Sequence, residues 1–373
     1  MTYETKQIDW KGWIDDRNER RKQEYTSEPG RLISDYNREQ SGTKGYFGRI
    51  LLEMLQNADD AGLDQTEPVE ILIRQAGDQL HIANTGAPFD ESGIESLIIS
   101  DNSPKQFRSD SIGYKGLGFR SVLNWTSSVA ILSGDLSIGF SDLFAKEFLA
   151  NIRKESNKLD TKVTKLENNG ISNPIATLSV PKLIDSEAIT DPNLKESYKI
   201  GKQLRKDGYD TVICIPLDNQ EEEESIQKEI DKLYPEIILF LQNISEVRID
   251  TPTYPDVWEQ TPNNNQETVT VNSENRPSTT WNITEEKGTL PDRLVDRGPQ
   301  KKKYEIKVAV PIDGDLQEAT KRNLSVFFPT KVTFPFPVLA HGTFEVTDDR
   351  NHLLTTPVNQ FVTEQLADVM VGA

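Results

Sequence analysis

Apolar residues recur every three or four positions through "GYFGRILLEMLQNADDA", a spacing that predicts a helix from Gly45 to Ala61. At about 100° per residue, Phe47, Ile50, Leu51, Met54, Leu55, Ala58 and Ala61 share one wide stripe. Glu53, Gln56, Asn57 and Asp60 share a narrower stripe beside it, with Arg49 one turn upstream. The wide stripe reads as core. The narrow one places a possible base, Glu53, one turn from an amide oxygen, Asn57, able to ligate a hard cation. A solvated helix face is the competing reading, but such faces usually mix both signs of charge, and this one has almost no lysine.

The patterning divides the rest of the chain. The first forty residues are charged and helical in tone, with a turn at "SEPG". "VEILIRQAGDQLHIANTG" and "VAILSGDLSIGFS" each predict two strands joined by a Gly-Asp turn. "ESGIESLIIS" predicts a short helix, and "DNSPKQFRSDSIGYKGLG" a long polar loop before "FRSVLNW" resumes an apolar pattern. From about Lys146 to Asp210 the chain is mixed and polar, with a strand at "IATLSV". "DTVICIPL" predicts a buried strand, Glu221 to Glu224 a solvated loop, and "IQKEIDKLYPEIILFLQN" a helix kinked or restarted at Pro235 before the strand "SEVRID". Pro, Asn, Gln and Thr between Thr251 and Asn265 suggest a domain boundary, giving an N-terminal domain of residues 1–255 and a β-rich one of 256–373. Beyond it, "ETVTVNS", "STTWNIT", "YEIKVAV", "LSVFFPT" and "VLAHGTFEVT" predict strands. "NQFVTEQLADVMVGA" predicts a helix without a stop signal, which suggests an N-terminal piece of a longer protein.

Composition narrows the function classes. Sixty acids against forty-two bases give the 373 residues a formal charge of -18, which disfavours indiscriminate attraction to nucleic acid or anionic membrane. The single cysteine, Cys214, excludes an intrachain disulfide framework and fits a reducing, cytoplasmic setting. The sequence carries no signal peptide and no membrane-spanning run. Three dispersed histidines, His81, His341 and His352, with one cysteine argue against zinc.

A second feature sits at "SIGYKGLGFRSV". Gly113, Gly116 and Gly118 allow unusual φ and close approach to a ligand, while a helix beginning near Phe119 would aim N-terminal amides at an anion. Lys115 and Arg120 add positive charge. A flexible glycine turn is the competing reading. The pattern is neither a P-loop nor a dinucleotide fingerprint.

Three stretches in one order, "EMLQNADDA", "IANTGAPF" and "IGYKGLGFRSV", resemble the ATPase family of gyrase, heat-shock chaperone, histidine kinase and MutL (the Bergerat fold). "LLEMLQNADDAG" followed by "NTGAPF" is most similar to its sacsin-like branch, as are "TVICIPL", "EIILFLQNISEVRI" and "HGTFEVTDDRNHL". The likeness covers roughly residues 30–250 and a segment near 320–355.

The resemblance implies an α+β fold: an α/β sandwich, with helices on one face of a mixed sheet, then a smaller β-rich domain. It implies that Glu53 is the general base, that Asn57 coordinates Mg²⁺, and that Asp60 supports the adenine side. Gly113, Gly116 and Gly118 would cradle the phosphates of ATP, with Phe119 beside them. The segment from about Asp101 to Ile112 would be a lid, with Ser103 and Lys105 reaching the nucleotide. Thr211 matches the family threonine that shares a water with the adenine contact, and Asn84 and Gly86 occupy the adenine-side box. That box begins with aspartate in the chaperone and gyrase branches; here it begins with Asn84, and Pro88 replaces its second glycine. Exchanging a charged acceptor for a neutral one costs on the order of 1 kcal/mol, about fivefold in affinity, and leaves adenine-over-guanine preference open. In the second domain Arg350 is the candidate phosphate contact, with Lys331 its rival.

The expected function is therefore Mg²⁺-dependent ATP binding and slow hydrolysis, driving lid closure and domain docking in a larger chaperone-like or microbial defence protein. ATP-dependent dimerisation and partners beyond residue 373 fit that reading. A nucleotide sensor without turnover and a nucleic-acid-processing ATPase of the MutL or microrchidia kind are the alternatives. A histidine kinase is disfavoured, because no histidine lies on a helix ahead of the ATPase motifs.

Overall fold

Six consecutive residues, Thr211 to Pro216, are buried without exception, so the run reads as an interior strand rather than an alternating one. The computed structural model describes residues 8–45, 48–63, 65–98, 118–187, 189–263, 268–294, 303–312, 323–347 and 349–372.

Helices α1 (Trp10–Ser27), α2 (Pro29–Gly45) and α3 (Ile50–Ala61) open the chain. Strands β1 (Val69–Ala76) and β2 (Gln79–Asn84) follow, then α4 (Glu91–Ile98). Next come β3 (Ser128–Ser133), β4 (Leu136–Ser141), α5 (Asp142–Arg153) and α6 (Asn157–Asn168). β5 (Lys182–Leu183), α7 (Pro192–Lys206), β6 (Thr211–Pro216) and α8 (Gln220–Ile230) complete the middle. Four strands then run in succession: β7 (Ile244–Asp250), β8 (Asp256–Pro262), β9 (Thr268–Ser273) and β10 (Thr279–Thr289). The last elements are β11 (Lys303–Pro311), β12 (Asn323–Val326), β13 (Phe328–Thr333), β14 (Leu339–Gly342) and α9 (Pro357–Gly372).

Packing divides the described residues into two units with interleaved segments. One draws on described residues within 8–50, 75–98 and 118–225, the other on those within 51–74 and 226–372. Both are α+β, as the sequence implied.

In the first unit the strands run antiparallel in the order β2-β6-β3-β4-β5. α7 lies on β6, β3 and β2 through Leu194, Ser197, Tyr198, Gly201 and Leu204. Gly201 sets how closely: a Cβ there would stand 2.4 Å from Cys214 Sγ. Tyr25 and Leu32 join Leu149, Ile152, Leu159 and Val163 in a core shared by α1, α2, α5 and α6. Glu39 on α2 is buried, and its carboxylate accepts the N–H groups of Thr177 (2.7 Å) and Leu178 (2.9 Å).

In the second unit the order is β13-β12-β14-β11-β10-β9-β8-β7-β1. β1 with β7 and β12 with β14 are parallel and the other described pairs antiparallel, so this sheet is mixed. α9 packs on β11 and β10, burying Val358, Val362, Leu366 and Val369 with Ile306, Val308 and Phe344. Among the described residues no helix is long and apolar enough to cross a membrane.

Several local expectations are corrected. The helix predicted from Gly45 begins at Ile50, because Gly48 takes φ +82° and separates it from α2; Phe47 lies outside the described residues. "IATLSV" forms a 3₁₀ turn, Thr177–Ser179, since its first N–H groups go to Glu39 rather than to a neighbouring strand. The segment after Phe119 is a seven-residue 3₁₀ helix, Gly118–Asn124, too short to supply the anion-binding N-terminus expected of it. Glu221 to Glu224 open α8 instead of forming a loop: Asn219 Oδ1 accepts the Glu221 N–H at 2.8 Å, and acids suit the positive end of a helix. The restart expected at Pro235 is present, as a 3₁₀ helix, Pro235–Phe240, rather than a continuation of α8. "LSVFFPT" is two strands, because Phe327 turns the chain at φ +62° and donates its N–H to the buried His341 Nδ1 at 2.9 Å.

Candidate functional site

The stripes predicted for α3 are present, and the polar one is not solvated. Ile50, Leu51, Met54, Leu55 and Ala58 are buried; so are Glu53 (4% exposed), Gln56 (1%) and Asp60, while Asn57 is half-buried. Burying acids and amides is costly unless they are paired, so each requires a partner. Leu51 N–H, near the start of the helix, donates to Glu229 Oε2 at 2.9 Å. Near its end, Asp59 Oδ1 accepts the N–H groups of Gln242 (3.0 Å), Asn243 (2.8 Å) and Ile244 (3.2 Å). Burial pushes the Asp59 carboxyl up to about 6 against the pull of those N–H groups, and neighbouring Asp60 adds to the push. Gly62 allows the approach, since a Cβ there would lie 2.3 Å from Asn243 Cβ. Asp59 was not singled out in the sequence; its anchoring partners are more than 180 residues away along the chain.

Arg350 belongs to the same unit as Glu53 and Gln56. Its Nη1 donates to Gln56 Oε1, and its Nε lies 3.5 Å from Glu53 Oε1. The loop that presents it is closed by a bridge between Val346 and Leu353. Within it Thr347 N–H donates to His352 O (2.9 Å) and Arg350 N–H to Thr347 O (2.8 Å). Burial disfavours the Asp349 carboxylate, but hydrogen bonds from the Thr347 hydroxyl (2.5 Å), Asn351 Nδ2 (2.9 Å) and Asn351 N–H (3.1 Å) outweigh it, holding the carboxyl at about 2. Arg350 itself sits at φ +54°, a left-handed conformation uncommon for arginine. Lys331, the rival cation, has an exposed side chain, and its backbone N–H donates to Asn351 O at 2.8 Å.

Asn84, Gly86 and Thr211, three of the residues predicted from sequence for the adenine side, lie in the first unit and cluster there, whereas Asp60 belongs to the second. Asn84 on β2 is in register with Thr211 on β6. Asn84 Nδ2 donates to Thr85 O (2.8 Å), and Asn84 O accepts the Asp210 N–H (2.9 Å). Gly86, at φ +110°, donates its N–H to Asp210 Oδ2 at 3.0 Å, a conformation and an approach that suit glycine. The Thr211 hydroxyl is 2.6 Å from Ser133 Oγ, which also accepts the Phe89 N–H (2.9 Å). Asp210 and Ser133 are members of this cluster that sequence reasoning missed. Pro88, the departure from the glycine box, packs against the β3–β4 turn: a Cβ on Gly134 would meet Pro88 Cβ at 3.2 Å.

Gly118 and Phe119 are buried in the 3₁₀ helix that follows the glycine loop, where Ser121 Oγ donates to Gly118 O at 2.5 Å. Ser103, Lys105, Gly113, Lys115 and Gly116, with the segment expected to form a lid, lie outside the described residues. Arg120, expected to lend charge to a ligand, points inward instead: Nη2 donates to Leu97 O (2.8 Å) and Nη1 lies 3.7 Å from Glu39 Oε2. It is a core ion-pair member, which an arginine next to a glycine loop does not announce.

A search of curated proteins gives no match. A family model described as the sacsin domain matches residues 32–255, more than half of the chain and the whole stretch that holds α3, the Asn84–Thr211 cluster and the glycine loop. On that match, the chain belongs to the sacsin domain family.

Proposed function

We propose that the chain binds Mg-ATP and hydrolyses it slowly, as an ATP-gated switch within a chaperone-like or defence protein. The observation that carries the reading is the buried acid–amide face of α3, where Glu53 and Gln56 meet the Arg350 guanidinium and Asn57 remains partly open. A hydrophobic helix seam has no use for such groups, and burying them without a function is expensive. The donor set suits the ligand: Asn57 offers an amide oxygen to a hard cation. Asn84 Nδ2 spends one of its two N–H groups on Thr85 O, and its amide oxygen would accept from the exocyclic amine of adenine. Bound Mg-ATP would supply the phosphoanhydride and the metal's neutralisation of its charge. Glu53 would accept the proton of the attacking water, Arg350 of the same unit would steady phosphate charge, and Thr211, in register with Asn84, would support the adenine contact.

A second reading, nucleotide binding without turnover, draws support from the pairing of Glu53 with Arg350, because a carboxylate engaged by a guanidinium is not open to a water. Calorimetry of ATP and GTP with Mg²⁺, on the unaltered chain and Asn57→Ala, tests the proposal. ATP binding at least tenfold tighter than GTP, and lost in Asn57→Ala, is expected; hydrolysis lost in Glu53→Ala then excludes the second reading. No binding of either nucleotide overturns both.

A further inference from the structure

Glu53 has a proposed role on α3 and its neighbour Gln56 has none, although Gln56 is the more deeply buried of the two. Its amide oxygen is the acceptor for Arg350 Nη1, whereas Glu53 stands 3.5 Å from Nε. A buried amide is normally retained for the hydrogen bond it makes. The partner here is presented deliberately: the Val346–Leu353 bridge and the Asp349 hydrogen bonds hold Arg350 in a left-handed backbone conformation and direct it to α3.

We infer that Gln56 is the positioning residue for Arg350. An uncharged acceptor fixes the direction of the guanidinium without adding a second negative charge to that of Glu53, 3.5 Å from Nε, so more of the positive charge stays available for an anionic oxygen. Glu53 offers the alternative acceptor. Without Gln56, Nη1 loses the acceptor that directs it along α3 while Nε still faces the carboxylate 3.5 Å away, and a carboxylate on which the guanidinium has closed is a blocked base. α3 thus carries both the group that reacts and the group that keeps the cation, 3.5 Å away, from closing on it. For its consequence in turnover this inference rests on the Mg-ATP reading; the Gln56–Arg350 coupling itself does not.

The test is a double-mutant cycle in the full chain. Gln56→Met is expected to lower kcat about tenfold or more while the ATP Kd changes less than about threefold, and to add no further loss on an Arg350→Met background. Gln56→Glu keeps an acceptor and the volume but neutralises the guanidinium; it is expected to hold or raise the thermal midpoint while lowering kcat, a split that a merely structural residue would not produce. Read on thermal unfolding without nucleotide, Gln56→Met and Arg350→Met are expected to be non-additive. Additive effects in the unfolding cycle overturn the inference, as does an unchanged kcat in Gln56→Met with turnover intact. Absence of ATP binding would overturn the functional reading instead, and the unfolding cycle would still decide the coupling.

Discussion

Replacing Arg120 by methionine is a sharp test of the packing in the first unit. Arg120 and Glu39 are 1% and 2% exposed, their charged atoms 3.7 Å apart. The substitution keeps bulk, removes the donor to the Leu97 carbonyl, and leaves the Glu39 carboxylate with the Thr177 and Leu178 N–H groups. Breaking a buried pair from one side costs about 3–5 kcal/mol. The cost depends on pH in a defined direction. Burial raises the Glu39 carboxyl above the ordinary glutamate value; the Leu178 N–H, Arg120 and the Thr177 N–H oppose it, so losing Arg120 raises it further. A raised carboxyl means that the folded chain holds the proton more tightly than the unfolded one. Its stabilisation is therefore full below about pH 4.3 and is lost as pH rises through the folded value, by up to about 1.4 kcal/mol per pH unit. Urea unfolding of both proteins at pH 5 and pH 8, followed by fluorescence of the buried Trp125 in the same unit, measures this. The variant should lose more at pH 8 than at pH 5. An equal loss at both, or less than about 1 kcal/mol at pH 8, would refute the assignment of Arg120 to the core.

Two further predictions follow from geometry already described. Gly201→Ala should lower the thermal midpoint by several degrees, because overpacking against Cys214 costs about 1–3 kcal/mol and exceeds the roughly 1 kcal/mol gain in helix propensity; adding Cys214→Ala should recover it, and a midpoint that rises in the single variant would contradict the contact. Asp59→Asn keeps an acceptor oxygen for three N–H groups while removing a carboxyl held at about 6, so the variant should be at least as stable as the parent at pH 7.5 and lose that advantage by pH 4.5; a deficit independent of pH in urea unfolding would count against it.

Sequence periodicity was sufficient for the elements whose burial is one-sided or complete. α3 and β6 are read directly from apolar spacing, and the two Gly-Asp turns of the predicted hairpins fall at Gly77 and Gly134, both at positive φ. The polar tract from Lys146 to Asp210 was under-read. It contains α6 and α7, with α5 entering from upstream, and their N-caps at Ser141, Ser156 and Asp191 were visible in the sequence. Their buried faces are narrow, however, and charge dominates any window average. The site divides the same way. Glu53, Asn57 and Thr211 announce themselves through local motifs. Gln56, Asp59, Ser133 and Asp210 acquire their roles only from hydrogen-bond partners distant along the chain, so no local pattern can report them.

The long-range anchoring of α3 bears on when the helix acquires its final geometry during synthesis of the chain. The helix leaves the ribosome early, yet the backbone groups that fix Asp59 are made about 184 residues later, and Arg350 is 294 residues beyond Gln56. At roughly 5–20 residues per second, α3 waits about 10–40 s for its first anchor and longer for the arginine. A nascent chain therefore carries the acids and amides of α3 well before it carries the contacts that set their geometry, and the order of translation leaves this helix face incomplete until Arg350 is made.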